Sequence, residues 1–311
     1  MKILFAVTFA SVVFAGGPAG PIAGFVLDSR TGTIRAITGA PGATRLADAL
    51  ALPFPILAAE FSSSGDTAVA ITADRPGHLV VLGSLISGSP VVADLGKVAE
   101  GARLLGLNAR GTGAIVYSPG EGQLRFVNGI GKDAVLSAPV PTAALAGPVT
   151  AGVLDEAGSC SILGTGSLET LCADGSSRRV LTDSGFHITQ LALSGRDLWL
   201  ADEAGKQVLR VADYAHAGTA TVFATEADGL RKPLALEITQ TGQVLVADSE
   251  APAIFVIDPA ANSVRSIALD VAPSQLRPLT DRSLLLINDL SALPFTLFAT
   301  EAMRTYFVPA N

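Results

Sequence analysis

Five stretches of this sequence repeat one pattern: alternating apolar residues, a glycine turn, a second apolar run, then an acidic or glycine-rich turn. They read LAAEFSSSGDTAVAITAD (57–74), LLGLNARGTGAIVYSPGEG (104–122), AGVLDEAGSCSILGTG (151–166), QLALSGRDLWLADEAG (190–205) and LALEITQTGQVLVADSE (234–250). Their turn glycines, Gly65, Gly111, Gly158, Gly195 and Gly242, stand 46, 47, 37 and 47 residues apart, close to the roughly 40–45 residues of a four-stranded propeller blade. A sixth stretch, QLRPLTDRSLLLIND (275–289), has Asp281 and Arg282 in place of the turn glycine.

Each unit continues with two more β-like runs, such as PAIFVID (252–258) and SVRSIAL (263–269). β-Branched and aromatic residues on alternate positions, bounded by Gly, Pro, Asn and Asp, are strand signals. After residue 15 no stretch keeps a helical apolar period over three turns, and a sandwich has no reason to repeat in units of four strands. The chain is therefore predicted to be an all-β propeller. Six full units cover about 54–309, and IAGFVLDSRTG (22–32) with TIRAITG (33–39) adds two strands before them. Seven blades, the first degenerate or completed by other strands, is the preferred count. Six blades with an N-terminal hairpin is the alternative. Phe61, Leu107, Leu154, Leu191 and Ile238, each four residues before its turn glycine, are expected at equivalent buried positions between blades.

Lys2 followed by the apolar run Ile3–Ala15 and then Gly16, Gly17 and Pro18 reads as a secretory signal cleaved after Ala15, too short for the about 20 residues of a membrane span. The expected mature protein, 16–311, is a single secreted or periplasmic propeller domain without a membrane anchor, and a monomer. With 49% hydrophobic and 16% charged residues the chain is no disordered segment. A net charge of −7 argues against nucleic acid and against a polybasic membrane contact.

The runs VLVADSEAPAIFVIDPAANSVRSIAL and WLADEAGKQVLRVAD resemble NHL-type and YVTN-type propeller repeats of secreted bacterial proteins, in which an apolar run ending Ala-Asp precedes a turn and a second strand ending in Asp. The resemblance implies a propeller fold and leaves function open.

Chemistry-bearing motifs are sparse. His78, His187 and His216 fall in three separate turns, and there is no HExxH, no CxxC and no phosphate-binding loop. Cys160 and Cys172 flank a turn at Thr165-Gly166-Ser167; pairing 164 with 168 places them directly opposite on one face. A disulfide is expected in an oxidising compartment, with two buried thiols as the alternative. At the ends of the second strands stand Asp74, Asp202, Asp248 and Asp289, with Glu203 and Glu250 beside two of them. They suggest an acidic rim for a protein or small-molecule partner, or else Asp residues that cap their own turns. Glu60 and Glu237 each lie five residues before a turn glycine on the channel-lining strand, with Gln190 at the same place in blade five. That position resembles the metal-holding one of lactonase-type propellers, making a divalent cation the one cofactor to consider. The preferred function is a non-catalytic binding scaffold acting through its loop face; the alternative is a propeller hydrolase with a channel metal.

Overall fold

The computed structural model describes residues 21–181, 185–216, 219–289 and 295–309; the expected signal segment, 1–15, lies outside them. Seven antiparallel sheets succeed one another along the chain, at residues 22–49, 56–97, 103–141, 151–181, 188–224, 233–268 and 277–308. In blades two to six the first strands pack against one another around an axis, while the last strands carry the exposed residues of the rim. The chain is a seven-bladed β-propeller.

Period-two alternation explains why both faces of each blade are apolar. In the run Val244–Ala247, Val244 and Val246 face blade five, and Leu245 and Ala247 face blade seven. An apolar cluster fills each of the seven gaps between neighbouring blades. The ring closes where Val26 and Ile37 of blade one meet Leu286, Phe295 and Leu297 of blade seven.

Blade one has three described strands, Ile22–Asp28, Thr33–Thr38 and Arg45–Ala49. The turn between the first two sits beside the start of blade two's inner strand, where the Ile56 amide donates to the Gly32 carbonyl at 2.7 Å. That side of the disc carries the turns between second and third strands, so blade one consists of second, third and outer strands. No described residue takes its inner place. Instead the inner strands of blades seven and two meet directly: Arg277 donates to the Ala59 carbonyl (2.7 Å) and to a Glu60 carboxylate oxygen (2.9 Å). Seven blades thus present six described inner strands to the axis: the preferred count of seven with an incomplete first blade holds, and the six-blade alternative does not, because residues 22–49 pack as a blade between blades seven and two.

Four inner hairpins share one turn. A side-chain acceptor opens it: Ser62, Asn108, Asp155 and Thr239 accept amides of Thr67, Gly113, Cys160 and Gln243. The glycine amide three residues on returns to the carbonyl of that same residue, with φ between 67° and 83°, a left-handed conformation that costs glycine little. Arg282 holds the equivalent place in blade seven, at φ 59°, its amide on the Leu279 carbonyl. Leu154, Leu191 and Ile238 are buried, while Phe61 and Leu107 are half-buried against their clusters. Blade five differs from the sequence expectation. Its hairpin turns directly from Ser194 to Asp197, two residues tighter, so Leu193 rather than Leu191 is the counterpart of Ile238.

Candidate functional site: the axial channel and the loop face

Six inner strands enclose a channel of about 470 Å³ along the axis. Its polar lining residues partly serve to hold the ring. Arg103 donates to the Val149 carbonyl of the next blade, Thr150 to that of Ile188, Thr189 to that of Pro233 and Arg277 to that of Ala59. Each bond ties one inner strand to its neighbour, and the sequence offers only a polar residue on an apolar strand as a clue.

Glu60 and Glu237 lie in the channel wall at the same register position, paired across their hairpins with Val69 and Leu245. Gln190 also lines the channel, but the tighter hairpin of blade five moves it two residues towards the opposite end; Ala192, paired with Trp199, takes the equivalent place. The carboxylates flank blade seven, and each faces an arginine of it. Glu60 is hydrogen-bonded to Arg277, and Glu237 stands 3.6 Å from Arg282. Burial pushes the Glu237 carboxyl up to about 7, against the opposing pull of the Arg282 charge and the Ile238 amide. Among the described residues no three His, Cys, Asp or Glu side chains gather around a common point. The residues present therefore do not fit a metal centre: two carboxylates on separate blades, each facing a guanidinium, lack a third donor.

The six acidic residues of the rim all follow second strands and so share one face. Two of them are buried. Asp202 accepts the amides of His187 and Gly205 and the Gln207 side chain. Asp248, fully buried, accepts four amides, from Arg231, Lys232, Glu250 and Ala251. These two carboxylates hold their turns together and present no oxygen to a ligand. Asp74 and Asp289 are exposed. In blade two the place of the buried pair belongs to Thr72, which accepts the His78 amide, and in blade seven the buried Asn288 accepts that of Thr296. Glu203 bonds His187 at 2.6 Å and Lys232 at 3.3 Å, and Lys232 also lies 4.0 Å from Glu250. Lys206 and Arg231 both reach Glu226 on the same face. The acidic rim between blades five and six is thus interleaved with cations.

Cys160 pairs with Cys172 across the strands of blade four, in register with 162↔170 and 164↔168, and the two form a disulfide. Nearby, Glu169 is a buried carboxylate that the sequence does not single out. Burial raises its pKa, but bonds from the Thr165 hydroxyl and Ala146 amide and the Arg179 charge more than reverse this, leaving it lowered. It pins the segment entering blade four.

No family model matches the sequence, and no curated protein matches it. The similarity is to solved structures. A streptogramin B lyase superposes with a TM-score of 0.65 at 12% identity, over 84% of this chain and 86% of the other. Virginiamycin B lyase from Staphylococcus aureus gives 0.62 at 10%, over 81% and 83%. A protein from Lactobacillus plantarum gives 0.65 at 13%, over 93% and 96%. At such identities the likeness is one of fold, and it agrees with the resemblance to NHL- and YVTN-type propellers. No helix among the described residues is long and apolar enough to cross a membrane.

Proposed function

We propose that the protein is a secreted, non-catalytic binding scaffold whose ligand site is the axial channel. The observation that carries this reading is the channel itself. Its about 470 Å³ falls within the roughly 300–1,000 Å³ of small-molecule sites, and its wall combines apolar residues with a few convergent charges, the usual make-up of such a site. The loop face favoured by the sequence is the weaker candidate, because Asp202 and Asp248 are consumed by backbone amides and Glu203 and Glu250 are matched by Lys232.

The test is a thermal-shift screen of a small-molecule collection against the protein and its Gln190→Trp variant, in which an indole fills the channel from a strand position that tolerates aromatics. Compounds that raise the Tm of the protein but not of the variant support the channel. Stabilising compounds that act equally on both place the site elsewhere.

A further inference from the structure

We infer that the channel takes a small zwitterion with an apolar body, of the class of an aliphatic amino acid or dipeptide, with its carboxylate on Arg282 and its ammonium on Glu237. This deepens the channel reading and rests on it.

The argument begins with the wall at one level. Glu60, Gly106, Val153, Ala192, Glu237 and Arg277 occupy equivalent register positions on the six inner strands, each paired with a second-strand residue that faces the next blade. Three consecutive blades thus contribute Gly106, Val153 and Ala192, a small and apolar arc, with Leu105 and Leu154 also lining the channel. The other arc carries Glu237, Arg282, Arg277 and Glu60. At this level the channel is therefore bipolar in cross-section, and its charged arc has two charges of each sign; Arg103 and Glu156, on the other arc, line it above and below this level. A polyanion or a bare cation would meet like charge there. A neutral molecule bearing both charges at one end and hydrocarbon at the other would not.

The two ion pairs are not alike. Arg277 is engaged twice, by the Ala59 carbonyl and by Glu60, and closes the ring. Arg282 and Glu237 face each other at 3.6 Å, beyond hydrogen-bonding distance, although the Glu237 side chain is only 15% exposed. A buried carboxylate and a guanidinium left without a mutual hydrogen bond both retain capacity for a third party. Arg282 also sits at φ 59°, where four other inner hairpins turn on glycine. An arginine in that strained conformation is a local cost that a side chain with a task in the channel explains.

The experiment is isothermal titration with L-leucyl-L-leucine, N-acetyl-leucyl-leucine, which lacks the ammonium, and leucyl-leucinamide, which lacks the carboxylate. The protein is expected to bind the free dipeptide at one site and each blocked analogue at least tenfold more weakly. Arg282→Gly suits the turn but removes the charge that faces Glu237, so its Tm is read beside its affinity: it should still unfold in one cooperative transition and lose at least tenfold in dipeptide affinity. Equal binding of the three compounds, or undiminished binding by Arg282→Gly, overturns the assignment. If the dipeptide fails to bind while the screen finds other compounds sensitive to Gln190→Trp, the ligand class is wrong and the channel reading stands. If no compound is sensitive to Gln190→Trp, both fall.

Discussion

Asp248→Asn separates a turn-holding carboxylate from a ligand-binding one by changing only the charge and half of the acceptor set. Oδ2 of Asp248 accepts amides at 2.6 and 2.8 Å, and Oδ1 accepts two more at 3.0 and 2.7 Å. An asparagine keeps one oxygen and turns an NH2 group towards two amide donors. Two charge-assisted bonds, each with a net value of about 1.5–3 kcal/mol, are lost in a site that water does not reach. The expected destabilisation is about 3–6 kcal/mol, and at roughly 2–4 °C per kcal/mol for domains approaching this size the melting temperature should fall by at least about 6 °C. Differential scanning calorimetry of the variant beside Asp74→Asn, an exposed position expected to shift stability by less than about 0.5 kcal/mol, makes the comparison internal. If Asp248→Asn melts within about 1 °C of the parent, the burial and bonding described for this turn are wrong.

Three further outcomes follow from the same structure. Glu237 has its carboxyl raised from 4.5 to about 7, so between those values the folded state holds a proton that the unfolded chain has released. Stability should therefore fall as pH rises through that window, by about 3 kcal/mol at most, and urea titrations from pH 4 to 8 should show this slope flattened in Glu237→Gln. Arg277→Ala removes the clasp between the inner strands of blades seven and two and leaves Glu60 without its partner; chemical denaturation should report a loss of about 1–3 kcal/mol, whereas an unchanged midpoint would show that the apolar cluster between blades seven and one closes the ring unaided. Replacing Cys160 and Cys172 together by serine should cost about 2–3 kcal/mol, the loop closed being short, and the parent should lose the same amount on reduction.

The architecture was legible because its causes are local. Strand runs of period two, the glycine that turns each inner hairpin and the mirror placement of Cys160 and Cys172 about their turn each act within a single blade. What the sequence hid depends on partners far along the chain. Arg277 meets Glu60 from 217 residues away, and nothing local marks the pair as the closure of an axis with six described inner strands. Asp202 and Asp248 stood out as acids on one face, yet their burial depends on amides 15 to 17 residues upstream that fold back onto them. Gln190 and Leu191 were displaced by a hairpin two residues tighter, a difference that a 37-residue spacing signals without locating. Arg282 was visible only as a missing glycine; its meaning emerged once the channel set it opposite Glu237.

The most direct measurement of the channel as the binding site is a crystal structure of the protein grown with L-leucyl-L-leucine. The expected result is one dipeptide in the channel, its carboxylate within hydrogen-bonding distance of Arg282, its ammonium on Glu237 and its aliphatic side chains against Gly106, Val153 and Ala192. A channel that holds only water while the dipeptide lies on the face of Asp74, Glu203 and Asp289, or binds nowhere, would contradict the account.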